Sequence, residues 1–338
     1  MPSRDQGTAP PFFSVVIATR NRPALFRQAL ESVVAQASAD VEINVVNDGS
    51  EAEHQLAYDA VLAAVPRRVR SFSLVRRPNG HGGSYALNFG AAQASAPYLC
   101  FLDDDDLWTD PGHLARAQTV IAESEAPVDL YMTNQAAYLR GEKRLGAIWL
   151  DDLPAILSRR GGSPDRRGAH AVTVEDLLQS QGFCHLNILI VRRALFEEIG
   201  GLDEANRWEY DRDLYLRLID RAAVMKYVPI TTARHNIPDP TAAANITTRL
   251  SEFERRLYQI RALDRVIYFG RHPGLRAHGR LHKAYALKRL AEALAAAGRH
   301  VDAAFYAREA LGAGPTVKWA GYTAWRTLSA LAERSRRR

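Results

Sequence analysis

The stretch YLCFLDDDDLWT, residues 98–109, decides how this chain is read. An apolar run suited to a buried strand ends abruptly in four carboxylates, Asp103, Asp104, Asp105 and Asp106. Two unit charges about 4 Å apart repel by roughly 4 kcal/mol at the effective dielectric near a protein surface. A solvated turn relieves part of that cost, and a bound divalent cation relieves more. The surrounding sequence has to decide between the two.

Upstream, short apolar runs alternate with helical patterns. FFSVVIAT (12–19) predicts a strand, and PALFRQALESVVAQ (23–36) a helix with Pro23 in its first turn. Leu25, Ala29, Leu30, Val33 and Val34 give that helix an apolar face near the 3.6 period. Further strands are predicted at 41–48, 69–77 and 98–103, and helices at 53–65 and 83–95. Strand and helix in strict rotation imply a mostly parallel sheet covered on both faces. Ligands of such sheets bind beyond the carboxyl ends of the strands. Thr19, Asp48 and Asp103 all fall at those ends.

Downstream, SRRGGSPDRRGAH (158–170) reads as a loop, HLNILIVRR (185–193) as a strand and RDLYLRLIDRA (212–222) as a helix with Leu214, Leu218 and Ile219 inward. From about residue 249 the pattern is helical throughout. Two Ala-rich helices span 282–315, hinged at Gly298-Arg299, with Ala284, Ala291, Ala303, Ala304 and Ala310 permitting close contact. Their length and spacing resemble one tetratricopeptide repeat.

The 338 residues suffice for one large or two ordinary domains, and 47% hydrophobic with 24% charged residues is ordinary globular material. No apolar run approaches the roughly 20 residues of a membrane helix. MPSRDQGTAPP has no secretion-signal core and reads as a disordered lead-in. Two cysteines, Cys100 and Cys184, make neither a metal spacing nor a disulfide scaffold, and fit a reducing cytoplasm. The net charge of +6 suits a polyanion, an anionic membrane or a phosphorylated substrate. No zinc-finger spacing, aromatic RNA-binding run or basic zipper supports a nucleic-acid partner.

Four motifs stand in order: FSVVIATRNRP (13–23), VVNDGS (45–50), PNGHGGSYALNFG leading into the four acids (78–106), and EEIGGLDEANRWEYDRDLYLRL (197–218). Together they strongly resemble the family 2 glycosyltransferases of the nucleotide-diphosphosugar transferase (GT-A) superfamily, over roughly residues 12–240. The resemblance implies an α/β fold with a GT-A Rossmann-like, mostly parallel sheet flanked by helices. A C-terminal all-helical region follows it. The expected organisation is a lead-in at 1–11, a glycosyltransferase domain at 12–245 and a helical region at 246–338.

The resemblance also implies the site. Thr19 and Asn21 at the end of the first strand, Asp48, Asn79, Gly80, Asp103 and Asp104 would hold the nucleotide-sugar donor, with a UDP-sugar favoured. A carboxylate at Asp48 can accept the imide N–H of uracil, although an Asp in DGS also suits a plain turn. Asp103 and Asp105 match the Asp-x-Asp motif, whose hard oxygens would hold Mn²⁺ or Mg²⁺ on the diphosphate. Asp104 fills the variable position, so a one-residue shift to Asp104 and Asp106 stays open. His235 is the candidate third metal ligand, against the blander reading of an isolated histidine.

Asp211 falls on the catalytic-base position, with Glu209 the alternative because Tyr210 replaces the preceding acid. Equally, Glu209, Asp211 and Asp213 suit a helix N-terminus. Leu87 stands where the family commonly has Arg. The expected reaction is metal-dependent, inverting sugar transfer to a glycan, lipid-linked, peptide or small-molecule acceptor, as in surface polysaccharide assembly. The rival is a degenerate scaffold, for which Tyr210 and Leu87 speak. The C-terminal helices have three candidate roles: homodimerisation, holding a peptide or protein acceptor, or peripheral contact with the inner membrane face.

Overall fold

The computed structural model describes residues 10–37, 40–65, 69–144, 148–237 and 250–336. Most of the lead-in and the 245/246 boundary lie outside these residues. The chain forms two compact units: Met1–Glu204 with Arg221–Ile237, and Ala205–Asp220 with Pro238–Arg338.

The first unit is built on a sheet. Its strands are β1 (Phe13–Thr19), β2 (Val41–Asn47), β3 (Val69–Ser73), β4 (Tyr98–Phe101), β5 (Leu107–Trp108), β6 (Leu130–Leu139), β7 (Glu142–Lys143), β8 (His170–Ala171), β9 (Leu189–Arg192) and β10 (Met225–Asn236). Its helices are α1 (Pro23–Val34), α2 (Ala52–Ala63), α3 (Gly83–Ala92), α4 (His113–Ala122), α5 (Leu153–Arg159), α6 (Val174–Gln179) and α7 (Arg193–Glu198). The main strand order is β3-β2-β1-β4-β9-β6-β10-β5. β3, β2, β1 and β4 run parallel. β9 enters antiparallel between β4 and β6, and β10 pairs parallel with β6.

β1 and β4 are nearly continuous apolar runs because both faces of the sheet are covered. Gly90 of α3 lets helix and strand approach: a Cβ there would lie 2.5 Å from Val16 Cγ1. β1 leads through α1 to β2 on one side, while β4 lies on its other side. The carboxyl ends of β1 and β4 therefore flank a topological switch point, where such sheets bind ligands.

Two details depart from the periodicity reading. Helix α1 buries Phe26, Ala29, Leu30 and Val33, whereas Leu25 and Val34 are 40% and 37% exposed. Phe26 takes the inward position because its ring packs on Tyr58, with centroids 5.5 Å apart. The predicted strand at 185–193 begins instead with a 3-10 turn, Leu186–Ile188, before β9.

The second unit is helical among its described residues, with α8 (Tyr210–Ile219), α9 (Glu252–Phe269), α10 (Pro273–Ala296), α11 (His300–Ala313) and α12 (Val317–Arg336). Ser251 and Glu254 form a capping box that starts α9. Gly298, at φ +74°, turns the chain between α10 and α11 where the hinge is expected. Leu290, Leu294, Ala295 and Ala303 make one core cluster; Leu287, Ala291, Ala307, Ala310 and Trp319 make another. Asp213 is fully buried and pairs with Arg217 at 2.7 Å and Arg265 at 3.7 Å, which ties α8 to α9. Asp220 accepts the backbone N–H groups of Arg271 and His272 ahead of α10.

Candidate active site

The four acids form a tight turn beyond β4, closed by the Asp106 N–H donating to the Asp103 carbonyl at 3.1 Å. Their side chains alternate. Asp104 and Asp106 are buried, and Asp103 and Asp105 are partly exposed. The inward pair is compensated by named partners. Asp104 accepts the Thr19 hydroxyl at 2.6 Å and the Arg22 guanidinium. Asp106 faces His235 Nδ1 at 2.7 Å and accepts the Asn236 N–H at 2.7 Å and the Asn187 amide. Asp105 pairs with Arg22 at 2.8 Å. Buried charge of this kind is tolerated only when paired.

That compensation is incomplete. Burial pushes the Asp104 carboxyl up, to about 7; Arg22 and Thr19 oppose the rise, and Asp105 and Asp106 add to it. Burial also raises Asp105, with Arg22 opposing and Asp106 adding. Asp106 goes the other way: burial would raise it, but the His235 charge and hydrogen bond outweigh burial and lower it. His235 responds in kind. Burial would lower its pKa, but Asp106 lifts it to about 9.

Two groups of side chains bring ligand atoms within 4.8 Å of one another: Asp103, Asp105 and Asp106, and Asp106, His185 and His235. Trp149 packs edge-on against both imidazoles, with centroids 5.1 and 5.0 Å away. His185 caps the Leu186–Ile188 turn by accepting the Asn187 N–H at its Nδ1, and its Nε2 lies 3.7 Å from Asp103. Excess negative charge beside carboxylate and imidazole donors fits Mn²⁺, and the carboxylates alone fit Mg²⁺.

Asp48 sits at the end of β2 and is buried. Its two oxygens accept the N–H groups of His81 and Gly82 at 2.8 and 3.0 Å. It thus anchors the loop carrying Asn79 and Gly80. At Gly80, φ is +64° and a Cβ would come 2.4 Å from Asp48 Oδ2, so glycine is required there. Asn79 is exposed. Asn21 adopts φ +58°, which asparagine tolerates, and joins the β1 end to α2: its Oδ1 accepts the Glu51 N–H at 2.7 Å. Leu87 is buried, so packing occupies the position where the family commonly has an arginine.

Glu209 and Asp211 belong to the second unit, at the start of α8. Glu209 holds a left-handed backbone, φ 52° and ψ 33°. Such a conformation costs a non-glycine residue about 1–3 kcal/mol and clusters at functional sites. Burial raises the Glu209 pKa, with Arg212 opposing. Asp211 is half-buried in the first helical turn. Asp213 has a structural role through its arginine pairs.

Thr19, Asp103, Asp104, Asp105 and His235 lie near one another at this rim. Arg22, Tyr58, Trp149, His185 and Asn187 join them without having been singled out. Asn187 carried a signal: a polar amide inside the apolar run HLNILIV.

A model of glycosyl transferase family 2 matches residues 14–198. The succinoglycan biosynthesis protein ExoW of Rhizobium meliloti is 28% identical over 182 residues, 53% of this chain and 54% of that protein. The chain thus spans about half the length of that relative. Among solved structures, S. aureus TarS in complex with UDP-GlcNAc superposes with a TM-score of 0.58 at 17% identity, over 82% of this chain and 72% of that one. The mannosyltransferase PcManGT from Pyrobaculum calidifontis, in complex with GDP-Man and Mn²⁺, also gives 0.58 at 17% identity, over 95% and 85% of the two chains. Both share the GT-A fold with this chain. With more than half its length matched, and with the motif residues gathered at the rim of that sheet, the chain belongs to glycosyl transferase family 2.

Proposed function

We propose that the protein transfers a sugar from a nucleotide-sugar donor, a UDP-sugar by preference, to a glycan or lipid-linked acceptor in polysaccharide assembly. The observation that carries this reading is the acidic turn at the β1/β4 rim, with three carboxylates in reach of one another and a histidine beside them. TarS with UDP-GlcNAc and PcManGT with GDP-Man support a nucleotide-sugar donor, and the name of ExoW supports a polysaccharide product.

Asp103 and Asp105, with His235, would hold Mn²⁺ or Mg²⁺. Such an ion offsets the negative charge of the donor diphosphate when bound. Thr19, Asp48 and the Asn79–Gly80 loop would bind the nucleoside end. Asp211, with Glu209 as the alternative, takes the proton from the acceptor nucleophile as its bond to the anomeric carbon forms. The bond to the diphosphate oxygen breaks on the opposite face, so configuration inverts. Asp105→Ala and Asp211→Asn should each nearly abolish transfer, measured as nucleoside diphosphate release with acceptor. Near-normal turnover by both purified variants would refute the assignment.

One observation favours a second reading, a scaffold without activity: Leu87 is buried where the family commonly has an arginine. Metal-dependent hydrolysis of a sugar nucleotide without acceptor separates the two, since only an enzyme performs it.

A further inference from the structure

Helix α12 is docked by one face and bare on the other. Trp319 Nε1–H donates to the Ala307 carbonyl at 2.9 Å, and the Thr323 hydroxyl donates to the same carbonyl at 3.2 Å. Trp319, Thr323 and Ala330 are buried. These contacts with α11 fix which side looks outward. At about 100° per residue, the outward side collects Val317, Gly321, Trp325, Leu328 and Leu331, with three alanines between them, all exposed. Trp325, Leu328 and Leu331 are 54%, 66% and 54% exposed. The stripe runs roughly 24 Å along the helix and spans an arc of about 140°. It contains no charged residue. Isolated exposed apolar side chains need no explanation, but a continuous face of this size marks an interaction surface.

Charge selects the occupant. From 317 to 338 the cations are Lys318, Arg326 and the four arginines of RSRRR (334–338), against Glu333 alone. That is +5 of the chain's net +6. The Arg326 guanidinium lies 3.8 Å from the Trp325 ring centroid, which keeps the indole at the edge of the apolar face. An apolar face edged by tryptophan and followed by a basic run fits an anionic lipid surface: the apolar side chains enter the acyl boundary and the cations meet headgroup phosphates.

We infer that α12 seats the protein on anionic bilayers, lying in the interface plane with Trp325, Leu328 and Leu331 inserted. No described helix is long and apolar enough to cross a membrane, so the contact is peripheral. This inference is independent of the proposed sugar transfer.

The test is co-sedimentation of the whole chain with vesicles of phosphatidylcholine, with and without phosphatidylglycerol, together with its mass in solution. Partitioning should be at least about tenfold stronger with phosphatidylglycerol and should weaken with salt. The triple variant Trp325→Ser, Leu328→Ser, Leu331→Ser should lose it while keeping its far-UV circular dichroism. All three side chains are exposed, so folding should survive. Wild-type protein that ignores both vesicles would overturn the inference, as would a triple variant that still binds. A dimer that the variant splits, with no vesicle uptake, would assign the face to a second copy instead.

Discussion

The two units bury different things. Among the described residues, the buried polar side chains of the helical unit are Asn206, Asp213 and Thr323, and the rest lie in the sheet unit. The helical unit is closed by Ala and Leu layers that could stabilise any fold of this kind. The sheet unit gathers carboxylates, imidazoles and amides at one end of β1 and β4, where each must be paired to be tolerated. A chain under selection for stability alone gains nothing from four acids in one turn. Removing a polar group at the rim should therefore cost function or stability in proportion to its pairing, and removing a helical core group should cost stability alone.

The largest expected effect tests the functional half of this contrast. Asp105→Ala should lower sugar transfer by roughly a thousandfold or more, several kcal/mol of barrier, with little change in melting temperature. Asp106→Ala should do the opposite in emphasis. It strands His235, Asn187 and the Asn236 N–H, and urea unfolding should show a loss of about 3–5 kcal/mol. Equal melting temperatures for the two variants would erase the distinction between outward and inward acids.

In the helical unit, Leu290→Ala empties a fully buried site. It should cost about 2–5 kcal/mol in that unit's unfolding transition. Nucleotide-sugar hydrolysis per folded molecule should stay unchanged. A loss of hydrolysis there would show that the Ala/Leu core of the helical unit does more than hold that unit together.

The smallest effect is a pH dependence of the metal-free protein. The folded-state pKa of His235 is raised to about 9 by Asp106, despite burial. The stability it contributes is complete below its unfolded value near 6.5 and is lost as pH rises through about 9. Thermal unfolding in EDTA should show a fall on the order of 1–3 kcal/mol across that window. The slope should flatten in His235→Asn.

Much of this contrast was readable beforehand, for reasons that differ by region. The helical unit follows from periodicity, since small residues at 284, 291, 303, 304 and 310 recur where close packing needs them. The acidic turn, Thr19 and Asp48 were legible because they end predicted strands in a known order. What stayed hidden depends on long-range contact. Arg22 reads as an ordinary basic residue after β1 until the fold brings it to Asp104 and Asp105. His185 sits in what reads as a strand, and only the 3-10 turn presents it to Asp103. Trp149 stands in a stretch of sequence with no helical or strand period to place it. Leu25 and Val34 were assigned inward because periodicity fixes a face only to within one position, and the Phe26–Tyr58 contact chose the other solution.

The most direct test is a Mn²⁺ titration of the protein with saturating UDP, following free ion by electron paramagnetic resonance, beside the same titration of Asp105→Ala. The account predicts one tightly held ion per chain in the wild type and a large loss of that binding in the variant. Wild-type protein that leaves the ion free with UDP, and equally with GDP and the other common nucleotides, would contradict it.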